Sequence, residues 1–137
     1  MNKRVSSRAI IIKDNKLVVL FRRRIRDGKV VEYYSLPGGG LEEGETLEEN
    51  VLREVNEELG IEIKILGYVG MEEDEKTIQH FFHAEIVKGI PTLGGEELDR
   101  LTDDNYYEVS YLDINNLENE NINYVDKIRD AINNKYC

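Results

Sequence analysis

The chain has 137 residues, with 28 acidic side chains against 18 basic ones and a formal net charge of -10. That length predicts one domain, 1–137, and that charge excludes non-specific binding to nucleic acid or to a membrane surface, both of which need a basic face. The hydrophobic fraction of 40% is enough for a core, no apolar run reaches the ~20 residues of a membrane span, and MNKRVSSRAI is not followed by a signal-peptide core. A cytoplasmic protein is expected. Its one cysteine, Cys137, cannot close an intramolecular disulfide and is expected to be a frayed terminal thiol.

In chain order, RAIIIK and KLVVLFR predict a hairpin over 8–24 with Asp14-Asn15 at its turn. Their unbroken apolar runs predict strands covered on both faces. RRRIR, residues 22–26, is a basic cluster in an acidic chain. Asp27-Gly28 is a second turn and VVEYYSL a third strand. Pro37 ends it, and Gly38-Gly39-Gly40 predict a tight turn.

Thr46 and Glu49 have capping-box spacing. They predict a helix from Leu47 to Leu59, stopped by Gly60 in the left-handed conformation. Leu47, Val51, Val55 and Leu59 form its core stripe, widened by Leu52. Glu54, Glu57 and Glu58 share an adjoining face, because residues three and four apart are neighbours on a helix. Like charges at that spacing repel, and a divalent cation is the natural neutraliser. Mg²⁺ takes oxygen ligands, usually one or two carboxylates plus substrate phosphates.

IEIKILGYVG and KTIQHFFHAEIV predict two more strands, with MEEDE as the turn between them. In the second, Gln79 and His83 either share a face with Phe81 or the strand is covered on both sides. Residues 88–105 form a long loop carrying Gly94-Gly95-Glu96-Glu97, and loops of that length are usually functional or disordered. YYEVSYLDI, 106–114, is a further strand. Residues 123–135 close the chain as a helix with Val125, Ile128, Ala131 and Ile132 inward. The order predicts an α+β or mixed α/β fold, a mixed sheet flanked by helices.

Gly39, Glu45, Arg53-Glu54-Val55-Asn56-Glu57-Glu58-Leu59-Gly60-Ile61 resembles the Nudix box, here residues 39–61, and every specified position is met. Leu36-Pro37-Gly38-Gly39 ahead of it is also usual for that family. The resemblance implies an α/β/α sandwich that hydrolyses a nucleoside diphosphate linked to a group X, with Mg²⁺ or Mn²⁺. It implies that Glu54, Glu57 and Glu58 supply metal ligands, joined by the Gly38 carbonyl. Arg53 would hold glutamates in place, and Glu45 would pair with Arg53 or bind through water. The general base is a glutamate of the box in some members and a loop glutamate in others. Glu57 is favoured for a metal role, and Glu97 and Glu96 are comparable candidates for base or further ligand.

For substrate, the resemblance to mutator-type hydrolases puts Arg22 or Arg23 on a phosphate, with Gly39 a further substrate-binding candidate; Asn105, near the sheet end, is a candidate to read a base edge. Tyr33, Tyr34, Tyr106 and Tyr107 are candidates to stack on a base. The GGEE loop, Arg100 and Asn105-Tyr106-Tyr107 also resemble the mutator-type nucleoside triphosphatases, although Tyr34 stands where a tryptophan is usual. The expected partner is a small nucleotide, a nucleoside triphosphate or, alternatively, ADP-ribose or a nucleotide sugar. The protein would be a monomer or homodimer. Two other readings are a nucleotide-binding regulator of the same fold, which usually loses box residues, and an acidic ion binder, for which EF-hand spacing is absent.

Overall fold

The structure is a computed structural model and describes residues 3–94, 101–102 and 104–137. Seven strands run β1 Arg4–Lys13, β2 Lys16–Arg26, β3 Lys29–Ser35, β4 Gly38–Gly40, β5 Glu62–Glu73, β6 Thr77–Lys88 and β7 Asn105–Asp113. Helix α1 is Leu47–Leu59, and helix α2 is Val125–Ile132, preceded by a single 3-10 turn at Leu117–Asn119. The main path of the sheet is β3-β2-β1-β6-β5, with β4 on β1 and β7 on β2. The β1–β6 pair is parallel, from Arg4↔Thr77 to Ile11↔Ala84, and the other strand pairs are antiparallel.

Both hairpin turns form as the sequence predicts. Asp14 and Asn15 have φ of 52° and 63°, and Asp27 and Gly28 have 50° and 76°. Those are the paired left-handed conformations of a two-residue hairpin turn. The strands are covered on both faces, again as predicted. Ala9, Ile11, Val18, Leu20, Phe82 and Ala84 pack against Val51, Val55 and Leu59 of α1. The intervening Ile10, Leu17, Val19 and Phe81 pack with Leu112, Leu117, Ile128 and Ala131 on the α2 side. The alternating register thus feeds two cores, and β6 is a two-faced strand.

Several boundaries differ from expectation. Gly38–Gly40 is not a tight turn but a short strand opposite Ser6, Ser7 and Arg8. Absence of side chains lets this backbone lie flat on β1: a Cβ on Gly38 would stand 2.1 Å from the Ser7 carbonyl oxygen. Met71, Glu72 and Glu73 continue β5 rather than turning, because they pair with His80, Gln79 and Ile78; the turn is made by residues 74–76, tied by Asp74. Leu52 is 39% exposed and does not widen the core stripe; the buried neighbour of Val51 is Asn50, whose amide donates to the Gly40 carbonyl. The last helix is eight residues rather than thirteen. Cys137 is not frayed: its N–H donates to the Tyr68 carbonyl and its thiol to that of Val69. The Tyr136 ring covers Gly67, where a Cβ would come within 2.5 Å.

One topological detail creates the site. β1 and β2 pair only beside their turn, at Ile12↔Leu17 and Lys13↔Lys16. Beyond that, β1 pairs with β4 and β6, and β2 with β3 and β7. The two arms diverge and leave a cleft whose walls are strands.

Candidate active site

The cleft has a volume of about 480 Å³. β1 contributes Arg4 and Arg8, β2 Arg22 and Arg24, β3 Tyr33, Tyr34 and Ser35, and β4 its three glycines. Helix α1 presents Glu54 and Glu58, and the segment before α2 closes one side with Ile122, Asn123 and Tyr124. Four guanidinium groups and two carboxylates therefore face one opening.

Helix α1 delivers the carboxylates because its own sequence fixes its phase. Thr46 Oγ1 accepts from Glu49 N–H at 3.1 Å, and Glu49 Oε1 accepts from Thr46 N–H at 2.9 Å. Gly60 closes the far end at φ 66°, its N–H bonded to Asn56 O. With Val51, Val55 and Leu59 wholly buried, the acidic face is turned to β4.

Arg53 is the hub of that face. It donates to both oxygens of Glu45, to Glu54 at 3.1 Å, to Glu57 at 3.2 Å and to the Gly40 carbonyl at 3.2 Å. The hydrogen bonds from Arg53 hold the Glu45 carboxyl down to about 2, and the same contacts raise the pKa of Arg53 itself. Burial pushes the Glu54 carboxyl up, against the pull of Arg53. The Glu54 carboxylate lies so close to β4 that a Cβ on Gly39 would meet it at 2.5 Å. Glu58 is 6% exposed and accepts from Gly38 N–H at 3.1 Å. Glu57 is the outlier, with its side chain 58% exposed and turned to Arg53.

The structure therefore gathers Glu54, Glu58, Gly38 and Gly39 at the cleft and leaves Glu57 at the rim. Among the described residues no three acidic, histidine or cysteine side chains converge as a ready metal cage. The donor chemistry suits a hard cation all the same: two carboxylates, one disfavoured as a buried charge, beside an exposed third and a glycine carbonyl. Gly38 O already accepts from Arg8 at 3.2 Å.

Of the predicted substrate residues, Arg22 lines the cleft, with Nε on Ser35 Oγ at 2.8 Å and its guanidinium 4.7 Å above the Tyr107 ring. Arg23 points to the other face of β2 and stacks over Tyr106 at 5.1 Å. Asn105 starts β7 opposite Arg24 and is tied to Thr102 through its backbone, outside the cleft lining. Tyr33 and Tyr34 line the cleft, whereas Tyr106 and Tyr107 serve as platforms for arginines. Glu96, Glu97 and Arg100 lie outside the described residues.

Sequence reasoning missed Arg4, Arg8, Gln79 and Tyr124. Arg8 donates to Gln79 Oε1 and to the Leu36 and Gly38 carbonyls, and Gln79 donates in turn to Tyr124 Oη. Burial lowers the pKa of Arg8 against the opposing influence of Glu58. A signal for the first two was present: Arg4, Ser6 and Arg8 share one face of a strand that runs on as the apolar Ala9–Ile12.

The NUDIX domain family matches residues 2–128. The chain belongs to that family. An ADP-ribose pyrophosphatase of Methanocaldococcus jannaschii is 33% identical over 108 residues, covering 79% of this chain and 60% of that protein. An NAD-capped RNA hydrolase of Vibrio parahaemolyticus is 43% identical over 58 residues, covering 42% of this chain and 21% of that protein. This Nudix chain thus spans less than two thirds of the length of either relative. Among solved structures, a NUDIX hydrolase from Nitrosomonas europaea superposes with a TM-score of 0.74 at 19% identity, covering 98% of this chain and 92% of the other. A MutT NUDIX hydrolase from Burkholderia pseudomallei gives 0.64 at 21%, covering 84% and 86%. Among the described residues two helices flank the mixed sheet, and this arrangement is the Nudix fold.

Proposed function

We propose that this Nudix protein is a metal-dependent hydrolase that cleaves a diphosphate bond in a nucleotide derivative. The observation that carries the reading is the meeting of Glu54 and Glu58 with four arginines in one cleft. Carboxylates alone would repel a polyphosphate, and arginines alone would bind it without cutting it. Together they supply a face for cations and a face for phosphate oxygens.

Glu54, Glu57 and Glu58, with the Gly38 carbonyl, would hold Mg²⁺ or Mn²⁺. When bound, the ion neutralises phosphate charge and lowers the pKa of water. The chain's own residues do the rest. Arg53 is a positioning residue: its bonds to Glu45, Glu54 and Glu57 fix the acidic face before a ligand arrives. Arg22 binds phosphate oxygens, with Arg8 held behind it by Gln79 and two carbonyls. Gly39 keeps the space in front of Glu54 open. Glu57 is the most exposed of the three helix glutamates Glu54, Glu57 and Glu58, and in this reading it takes a proton from the attacking water; Glu97 shares that candidacy. Arg23 and Asn105 act on the substrate only indirectly in this reading, Arg23 through the Tyr106 platform.

The experiment is a phosphate-release assay with Mg²⁺ on nucleoside triphosphates, ADP-ribose and nucleotide sugars, using wild type and Glu58→Gln. Turnover by wild type that falls at least about 100-fold in the variant is expected, as for loss of a preorganised electrostatic group. Unchanged turnover in Glu58→Gln overturns the assignment, and binding without turnover in wild type makes the protein a nucleotide-binding regulator instead.

A further inference from the structure

A chain of hydrogen bonds connects the start of α2 to Glu58 of α1, and it begins at a strained residue. Tyr124 has φ 67° and ψ 32°, the left-handed region, and gives α2 no side-chain cap. That backbone is unfavourable for a residue with a Cβ, and strain of this kind is kept where the surroundings enforce it. Two contacts hold Tyr124: its ring lies 4.9 Å from that of Phe81, and its Oη accepts from Gln79 Nε2. Packing alone does not call for a tyrosine. Ile128 and Ala131 already anchor α2, a glycine would start the helix without strain, and a phenylalanine would supply the ring contact. What tyrosine adds is the hydroxyl that reaches Gln79.

The direction of the chain follows from the chemistry of its members. Arginine has only donors, so Gln79 turns its Oε1 to Arg8 Nε, at 3.1 Å, and its amide NH2 is left for the Tyr124 hydroxyl. Arg8 Nη1 donates onward to the Leu36 and Gly38 carbonyls, each at 3.2 Å. Gly38 hands the connection to α1. It is the sheet partner of Arg8, and its N–H donates to Glu58 Oε1 at 3.1 Å. That step has no slack, because a Cβ on Gly38 would stand 2.8 Å from Arg8 Cα. Burial lowers the pKa of Arg8, and Glu58 is the foremost charge opposing it, so the guanidinium and the carboxylate also act on each other directly.

We propose that Tyr124 and Gln79 are positioning residues for the reaction: through Arg8 and the Gly38 backbone they set the place of Glu58 and of the Gly38 carbonyl. This rests on the hydrolase reading and adds a second support to its acidic site. Arg53 holds that site from within α1, and Tyr124 holds it from the α2 side of the sheet, where its ring packs. Both residues act through their neighbours.

The test uses the full chain and Tyr124→Phe, which keeps the ring on Phe81 and removes the acceptor for Gln79. In proton–nitrogen correlation NMR spectra without any ligand, the Gly38 amide signal, whose proton lies on Glu58, shifts in Tyr124→Phe. It shifts the same way in Gln79→Met, and adding Tyr124→Phe to Gln79→Met moves it no further, because the two act in one chain. A Gly38 signal that stays in place in Tyr124→Phe overturns the proposal, as do shifts that add in the double variant. Turnover then separates placing from binding. With Mg²⁺ and the nucleotide cleaved fastest by wild type, Tyr124→Phe lowers kcat about 10-fold, the scale of losing an outer partner of a site ligand. KM stays within about 2-fold of wild type, and the urea midpoint does not move. An unchanged kcat sinks the idea, whether KM is kept or raised. A urea midpoint that falls in step with the rate makes the role structural and sinks it too. A wild type that cleaves no nucleotide refutes the hydrolase reading, and the Gly38 signal alone then decides whether Tyr124 places Glu58.

Discussion

The two helices among the described residues flank the same sheet, α1 lining the cleft and α2 reaching it at its cap Tyr124, yet they are made in opposite ways. Helix α1 has thirteen residues, a complete capping box and a left-handed glycine stop. Helix α2 has eight residues, begins from Tyr124 at φ 67° and has no side-chain cap. Local chemistry forms α1; packing of Ile128 and Ala131 onto the sheet forms α2. The difference teaches where a site can store charge. A helix secured at both ends and along one stripe has a face to spare, and α1 carries Arg53, Glu54, Glu57 and Glu58 on it. Helix α2 spends its polar side on Lys127–Glu72 and Arg129–Glu118 ion pairs away from the cleft, and what it offers the cleft is Tyr124, at its N-terminal end.

The comparison breaks most sharply if α2 is deprived of its anchor. Ile128 is wholly buried among Leu117, Ala131 and the β1–β2 side chains. Ile128→Ala is expected to cost about 4 kcal/mol, from lost transfer energy plus the cavity. Urea denaturation followed by circular dichroism measures it. A loss below about 1 kcal/mol would mean that α2 is held by something other than packing.

On the α1 side the largest effect is on chemistry rather than stability. Gly39→Ala puts a Cβ 2.5 Å from the Glu54 carboxyl carbon, and the carboxylate must swing away. Turnover is expected to fall about 100-fold, the scale of losing one preorganised group, while the urea midpoint changes little. A variant with a full rate would show that Glu54 works from a different position.

How much of this was readable follows the same division. The span of α1, its capping box and its stop were visible because each depends on residues within four places of one another. Both hairpin turns were visible for the same reason. Gly38–Gly40 was misread because a glycine run signals flexibility locally, and only the approach of Ser6 to Arg8 makes it a strand. Of the candidate site residues, Glu54, Glu58, Gly38, Gly39 and Arg22 come together at the cleft. The difference between Arg22 and Arg23 was latent in strand alternation, but which face carries the cleft depends on where β1 and β2 part. Arg8 is separated from Gln79 by 71 residues, and no local pattern announces a contact between parallel neighbours so far apart.

A smaller perturbation sharpens the claim that α1 is locally encoded. Thr46→Ala removes the hydroxyl that accepts from Glu49 N–H. Loss of such a cap costs about 1 kcal/mol, seen as a shift in the urea midpoint. Because the core stripe still fixes the helix phase, turnover should fall less than about 3-fold. A large rate loss would mean that the cap, and not the buried stripe, orients the acidic face.

The smallest expected effect concerns Glu45 and acid. Arg53 holds the Glu45 carboxyl at about 2, from an ordinary value of 4.5. The folded state therefore releases the proton more readily than the unfolded chain, and stability from this contact is present above pH 4.5 and disappears as pH falls toward 2. Glu45→Gln keeps the shape and removes the charge. Its urea midpoint should lie modestly below that of wild type from pH 7 to pH 5, because Arg53 keeps its bonds to Glu54 and Glu57. The gap should close below pH 4.5, where the unfolded chain takes up the proton first. A gap that persists unchanged to pH 2.5 would mean that Glu45 contributes by packing. No gap at any pH would mean that Glu54 and Glu57, which share Arg53, take over its charge as soon as Glu45 is lost.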